Sequence, residues 1–208
     1  PAIWVQDFTM IFSSGFLQDE EGLDHLKLFL TCQNSDTIRM LKSGGIIPPY
    51  AIPDHIRFDG RPVFFPGTYS SEDDQGGEPW GICPPYNNDF DVVWLAHMLM
   101  KRTGDPDFLL FEIEGKTIYE RLQKAYAVPL CDSETGIVFT TPEARSVGFI
   151  FCDSVYMTGS LLMASLLRIR ASDHLADLAM SLGREDDAEF YILQAKLGRK
   201  HIAPVFAE

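Results

Sequence analysis

The chain has 208 residues, 46% of them hydrophobic, enough to bury a core as one large domain or two small ones. Seventeen basic residues stand against 30 acidic ones, a formal charge of -13 with no basic stripe, so nucleic acid is excluded as an expected partner. No run of about 18 apolar residues offers a membrane span, and a soluble protein is expected, with the cytoplasm favoured.

Apolar residues recurring at spacings of three and four predict helices near 7–16, 22–33, 88–102, 107–126, 153–170 and 184–200, which fall into three successive pairs. The first member of a pair is rich in apolar and small residues, as in "VVWLAHMLM" (92–100) and "VYMTGSLLMASLL" (155–167), and reads as buried nearly all round. The second is amphipathic, as in "DPDFLLFEIEGKTIYERLQKAY" (105–126) and "REDDAEFYILQAKLGRK" (184–200), with one apolar stripe and one solvated face. A wet outer helix backing a dry inner one is the pattern of concentric helical layers, so an all-α fold is expected. Within pairs, "RTGDPDF" (102–108) places Gly104 at a helix stop, Asp105 at a cap and Pro106 in the first turn of the next helix, and Gly183 repeats the stop in "SLGREDDAEF". Between pairs the loops are long. Segment 34–86 is full of Pro, Gly and aromatics, and 128–152 contains "DSETGIVFTT", which reads as a short hairpin.

Four acids share a position. Asp7 in "WVQDF", Asp89 and Asp91 in "YNNDFDVVWL" and Asp153 in "FCDSVYMTG" each fall in the first turn of a predicted inner helix, just after a loop. Inner helices of concentric layers run the same way, so these ends meet on one face, where a pocket would form. Capping is the plain alternative, because Asp is favoured at helix N-termini by its acceptor oxygens and by the macrodipole. Other groupings carry less. "YSSEDDQGGEPW" (69–80) has acids without regular ligand spacing, no serine sits in a G-x-S-x-G context, and "LKSGG" lacks the phosphate-loop pattern. His55 and His97 are isolated, and Cys32, Cys83, Cys131 and Cys152 stand apart with no C-x-x-C pair, so no metal and no cofactor are expected.

The ordered set "WVQDF", "GGIIPPYAIPDHIRFDGRPVFFPG", "PPYNNDFDVVWLAHMLMKRTGD", "GFIFCDSVYMTG" and "LAMSLGREDDAEFY" resembles the six-hairpin glycosidase superfamily, the (α/α)6 toroids that include glucoamylases, trehalases and α-L-rhamnosidases. The resemblance runs over nearly the whole chain. It implies a single partial domain over 1–208, three of six hairpins with long loops and a short β-hairpin, acting as a glycoside hydrolase on a terminal sugar, with inversion expected. It implies Asp153 as the catalytic proton donor and Asp7 as a clamp on sugar hydroxyls, with Gln6 where the family often carries Arg or Glu. Asp89 would sit beside the sugar, Trp4, Trp80 and Tyr86 would form its walls, and Glu78 and Asp91 complete the expected binding set. Phe149, Phe151 and Tyr156 would raise the affinity of Asp153 for its proton, while a helix N-terminus would lower it. Inverting enzymes need a second carboxylate about 6.5–9.5 Å from the acid. In the toroids it comes from later hairpins, so the expected partners are a carbohydrate and either a missing carboxy-terminal half or a second copy of the chain. The opening "PAIWVQDF" without Met and the ending "KHIAPVFAE" fit a processed or excised piece. Two further readings stand beside hydrolysis: a sugar-binding or scaffold toroid without chemistry, and a polysaccharide lyase or sugar epimerase.

Overall fold

A computed structural model describes residues 2–67, 75–147 and 155–207. Six helices dominate: α1 (Val5–Ser13), α2 (Asp19–Thr31), α3 (Asn87–Thr103), α4 (Ile118–Tyr126), α5 (Leu162–Ser181) and α6 (Glu185–Phe206). Here α3 packs against α1, α2, α4 and α5, α5 lies along α6, and α1 meets α2 where Phe8 stacks on His25 with ring centroids 3.9 Å apart. The fold is mostly α. Among the described residues no helix is long and apolar enough to cross a membrane.

Helix boundaries follow local chemistry. Before α2, Gln18 and Glu21 make a reciprocal capping box, and three acids in the first turn complement the helix dipole. Gly104 ends α3 in the left-handed conformation at φ 69°, where any side chain would be strained, as the sequence predicts. The expected helix over 107–126 is shorter than its pattern suggested. Asp107–Leu110 make one 3-10 turn, Glu112–Ile113 and Lys116–Thr117 pair as a hairpin across Glu114 (φ 49°) and Gly115 (φ 74°), and only then does Thr117 cap α4. Two consecutive positive-φ residues make a tight hairpin turn that no helix can contain.

The third pair differs in the same sense. In place of a helix from 153, Tyr156–Met157 pairs with Ser146–Val147 and Gly159–Ser160 pairs with Phe139–Thr140, both antiparallel, and α5 begins only at Leu162. Valine, tyrosine and threonine ahead of a glycine favour extended backbone over helix. The expected hairpin in "DSETGIVFTT" is present, closed by the Cys131–Val138 bridge and by the Asp132 carboxylate, which accepts the N–H groups of Glu134 and Thr135.

One core runs through all three pairs, with Val5, Phe12, Phe29, Phe90, Leu95, Tyr119, Leu122 and Leu175 essentially sealed from water. Each large side chain of this kind contributes about 1.5–3 kcal/mol on burial. A second, smaller cluster of Ile47, Ala51, Phe64, Phe65 and Val147 lies under the described part of the long first loop and gives it a packed underside. The Ala2–Trp4, His55–Arg57 and Pro62–Val63 strands form an antiparallel sheet that ties this loop to the start of α1.

Gly22 marks the tightest helix crossing: a methyl there would lie 2.7 Å from Phe12 Cζ and 3.0 Å from Leu99 Cδ2. Alanine gains about 1 kcal/mol of helix propensity over glycine, but overpacking a sealed site costs about 1–3 kcal/mol. With the Phe12 ring held on all sides the clash prevails. Gly22→Ala is therefore expected to lower Tm by roughly 2–8 °C in a thermal melt; an unchanged or raised Tm would show that Phe12 can move aside.

Candidate functional site

Helical spacing brings one cleft together. Gln6 and Met10 on α1, Asn87, Asp91 and Trp94 on α3, and Met163, Leu167 and Arg170 on α5 line a space of about 210 Å³. Gln6, Asn87 and Met163 stand near the starts of α1, α3 and α5, so these ends meet at the cleft, and of the four acids expected there Asp91 alone lines it among the described residues. Ligand clefts for drug-sized molecules usually span about 300–1,000 Å³, and a space of this size suits a single ring. Its walls are mostly apolar, with four polar side chains at one end.

Those polar groups are connected. Asn87 Nδ2 lies 3.0 Å from Gln6 Oε1, 3.1 Å from Asn88 Oδ1 and 3.3 Å from Asp91 Oδ2, a shared donor joining α1 to α3. The other oxygen of Asp91 is 3.7 Å from Arg170 Nη2, beyond hydrogen-bond length, and the Arg170 guanidinium stacks on Trp94 at 4.1 Å. Burial pushes the Asp91 carboxyl up to about 6, against the Asn87 hydrogen bond and the Arg170 charge, which both favour the ionised form. A carboxyl that gains and loses its proton near neutrality is suited to general acid or base work.

The other expected residues take different places. Asp89 is buried and its Oδ1 accepts the Ile52 N–H at 2.8 Å, and burial holds its carboxyl well above the usual range. It fastens the first loop to α3. Tyr86 is also buried, with its hydroxyl on the Leu130 backbone, and forms no wall of this cleft. Asp7 is exposed, one residue round the helix from Gln6. Trp4 is half-buried and packs on His55, with ring centroids 5.2 Å apart. Trp80 is half-buried at the far end of the first loop, and Glu78 is 72% exposed in an ion pair with Arg145. Asp153 lies outside the described residues, as does Cys152, and the helix it was expected to open starts nine positions later.

Sequence reading missed Arg170, Trp94, Asn87 and Gln6 as cleft residues, although 87, 91 and 94 and 163, 167 and 170 recur at four and three, a single helix face. Arg168 and Arg170 both belong to α5, the first member of its pair. The seam between α3 and α5 runs on beyond the cleft. His97 stacks on His174 at 4.1 Å, and Asp177 meets both His97 Nε2 and Lys101 Nζ at 3.0 Å. Burial, with His97 and Arg170 nearby, pushes His174 down to about 3. Among the described residues no three His, Cys, Asp or Glu side chains are grouped as a metal site. No protein-family model matches the chain, and comparison with curated proteins returns no match.

The raised Asp91 affinity for protons has a sign that stability can read. A buried aspartic acid near 6, against ~3.9 when unfolded, means the folded state binds more protons between these values. Its stabilising contribution is complete below about pH 4 and is lost as pH rises through about 6, leaving a cost on the order of 3 kcal/mol at pH 8. Asp91→Asn is expected to raise Tm at pH 8 and to converge with the parent near pH 4. Destabilisation of the variant at pH 8 would mean that the Arg170 contact outweighs burial.

Proposed function

We propose that the protein is a carbohydrate-active enzyme of the helical-toroid type, a glycoside hydrolase working on a terminal sugar, with Asp91 as a working carboxylic acid in the cleft. The observation that carries this reading is a buried carboxyl near pH 6 at the meeting point of three helix amino-terminal ends, beside an apolar space for one ring. The sequence resemblance to six-hairpin glycosidases points the same way. Exposed apolar side chains on α5 and α6, among them Leu162, Leu166, Ile192 and Leu193, suit a flank that further helices or a second copy would cover.

In hydrolysis the protonated Asp91 gives its proton to the glycosidic oxygen as the bond to the anomeric carbon breaks. A second carboxylate takes a proton from the attacking water. The resemblance takes that carboxylate from later hairpins, and among the described residues Asp91 is the one carboxylate that lines the cleft. Gln6 and Asn87 offer amide groups to sugar hydroxyls, and Met10, Met163 and Leu167 cover the apolar side of the ring. A sugar-binding protein without chemistry would use the same walls, and it differs only in lacking turnover.

Asp91→Asn is expected to cut kcat on a glycoside with a poor leaving group by about 10²–10⁴-fold. A nitrophenyl glycoside needs little protonation and should lose far less. In the parent, kcat/KM should fall as pH rises through about 6, where Asp91 loses its proton. Wild-type rates for Asp91→Asn on both substrates would remove Asp91 from the mechanism, and binding without turnover in the parent would favour the sugar-binding reading.

A further inference from the structure

Arg170 is the cation that lines the cleft. Among the described residues its guanidinium makes no hydrogen bond: its nearest charged partner is Asp91 at 3.7 Å, and its planar face rests on Trp94. Arg121, by contrast, gives its donors to the Ile113 and Leu30 carbonyls and to Gln33 and Glu114, and Arg102 is held by Asp19 and the Leu17 carbonyl. A guanidinium carries five donors in a rigid fork that matches a carboxylate. Stacking on Trp94 holds that fork upright at the cleft without using its edge. The side chain is 37% exposed, so a ligand can reach it.

Resting on the carbohydrate reading of the cleft, we propose that the sugar it takes is an acid, a uronate whose carboxylate docks on the open edge of Arg170 while its ring lies against Met10, Met163 and Leu167. One cation matches one negative charge, which favours a carboxylate over a doubly charged phosphate. The Trp94 face turned to Arg170 is already covered, so the apolar side chains supply the surface for the ring.

Binding also affects Asp91. Two carboxylates cannot both sit ionised beside one guanidinium in a partly dry cleft without repulsion. Seating the substrate carboxylate therefore makes Asp91 take up one proton from water, which leaves it in the acid form that donation to a glycosidic oxygen requires. The groups facing Asp91 are Gln6 from α1, Arg170 from α5, and Asn87 and Asp89 on its own helix. Asp7 follows Gln6 at the surface. His174 lies one turn beyond Arg170 and is neutral above about pH 4, being pushed down to about 3. His97, Lys101 and Asp177 lie further along the same seam.

The test is calorimetric binding of glucuronate, glucose and glucose 6-phosphate to the protein and to two variants. Glucuronate is expected to bind at least tenfold more tightly than glucose, with glucose 6-phosphate weaker than glucuronate. Its affinity should fall by up to about 30-fold between pH 5 and pH 7.5, as the protonated fraction of Asp91 falls. Heats in buffers of different ionisation enthalpy should report close to one proton taken up near pH 7. Arg170→Met should weaken glucuronate about 10- to 100-fold and remove most of its advantage over glucose. Arg170→Lys, which keeps the charge and loses the fork, should fall between the two and serves if the Met variant does not fold. Equal affinities for glucose and glucuronate, preference for the phosphate, or binding indifferent to Arg170 would each overturn the proposal. Glucuronate binding with no hydrolysis of any glycoside would overturn the hydrolase and leave the acid-sugar site standing, while hydrolysis of neutral glycosides at rates indifferent to Arg170 would do the reverse.

Discussion

The rest of the structure depends on the first turn of α3 being buried while it carries Asn87, Asn88, Asp89 and Asp91. A buried polar group without a partner costs on the order of 1–3 kcal/mol, so each of these side chains dictates something about its surroundings. Asp89 demands a donor and draws the Ile52 N–H onto it, which brings the first loop against α3. Asn87 demands acceptors and finds them on Gln6, Asn88 and Asp91, which sets α1 beside α3. Asp91 has less provision than either, with one amide and a cation held beyond hydrogen-bond length. Unlike Asp89, it opens onto a cleft. The partly satisfied acid is thus the one that faces a space a ligand can fill, and a site that stores a cost in its free state recovers it on binding.

The seam between α3 and α5 shows how that acid is kept apart from the other charges. Arg170 has its face on Trp94, His174 stands one turn further on, and the acidic charge of Asp177 is divided between His97 and Lys101. His174 stays neutral because burial and two neighbouring cationic or protonatable groups oppose its charge. A neutral imidazole between Arg170 and Asp177 leaves Arg170 with Asp91 as its near carboxylate. The electrostatics of the cleft therefore reduce to one acid and one guanidinium, each able to respond to a ligand.

Much of the helical organisation was legible in the sequence, because three pairs of apolar-rich and amphipathic segments carry a period near 3.6 and Gly104 and Gly183 mark their stops. What escaped is instructive. The periodic apolar residues of 108–118 concealed the Glu114-Gly115 turn, although "TIYE" at 117–120 is a capping box and announces where the true helix begins. In 155–160 the apolar content suited a helix, but β-branched and aromatic residues before Gly159 are extended and pair with Ser146–Val147 and Phe139–Thr140, a pairing that the helical period of the segment itself does not show. Among the acids, position was readable and environment was not. Asp89 and Asp91 are two residues apart and look equivalent in sequence, yet one is consumed by a backbone N–H and the other opens onto the cleft. Arg170 was invisible as a cleft residue because the expected helix over 153–170 put it at the far end, whereas α5 begins at Leu162 and carries it in its first half.

The charge of the whole chain bears on the cleft in a way composition alone misreads. At -13 the protein repels anions at long range, and an acidic sugar would seem a poor ligand on that ground. Screening at physiological salt limits exposed charges to about 8 Å, however, so the distant acids slow the approach without deciding the contact. Inside the cleft the nearest full charge is Arg170, and the nearest acid is half neutralised near pH 6. The local sign is then opposite to the global one. An excess of surface acid discourages polyanions, which span many Debye lengths and need a continuous basic track, while a single guanidinium in a small apolar cleft remains able to hold one carboxylate on one ring. Net charge and site charge are thus separate constraints, and the second follows from α5 running past α3 with Arg170 one turn beyond Leu167.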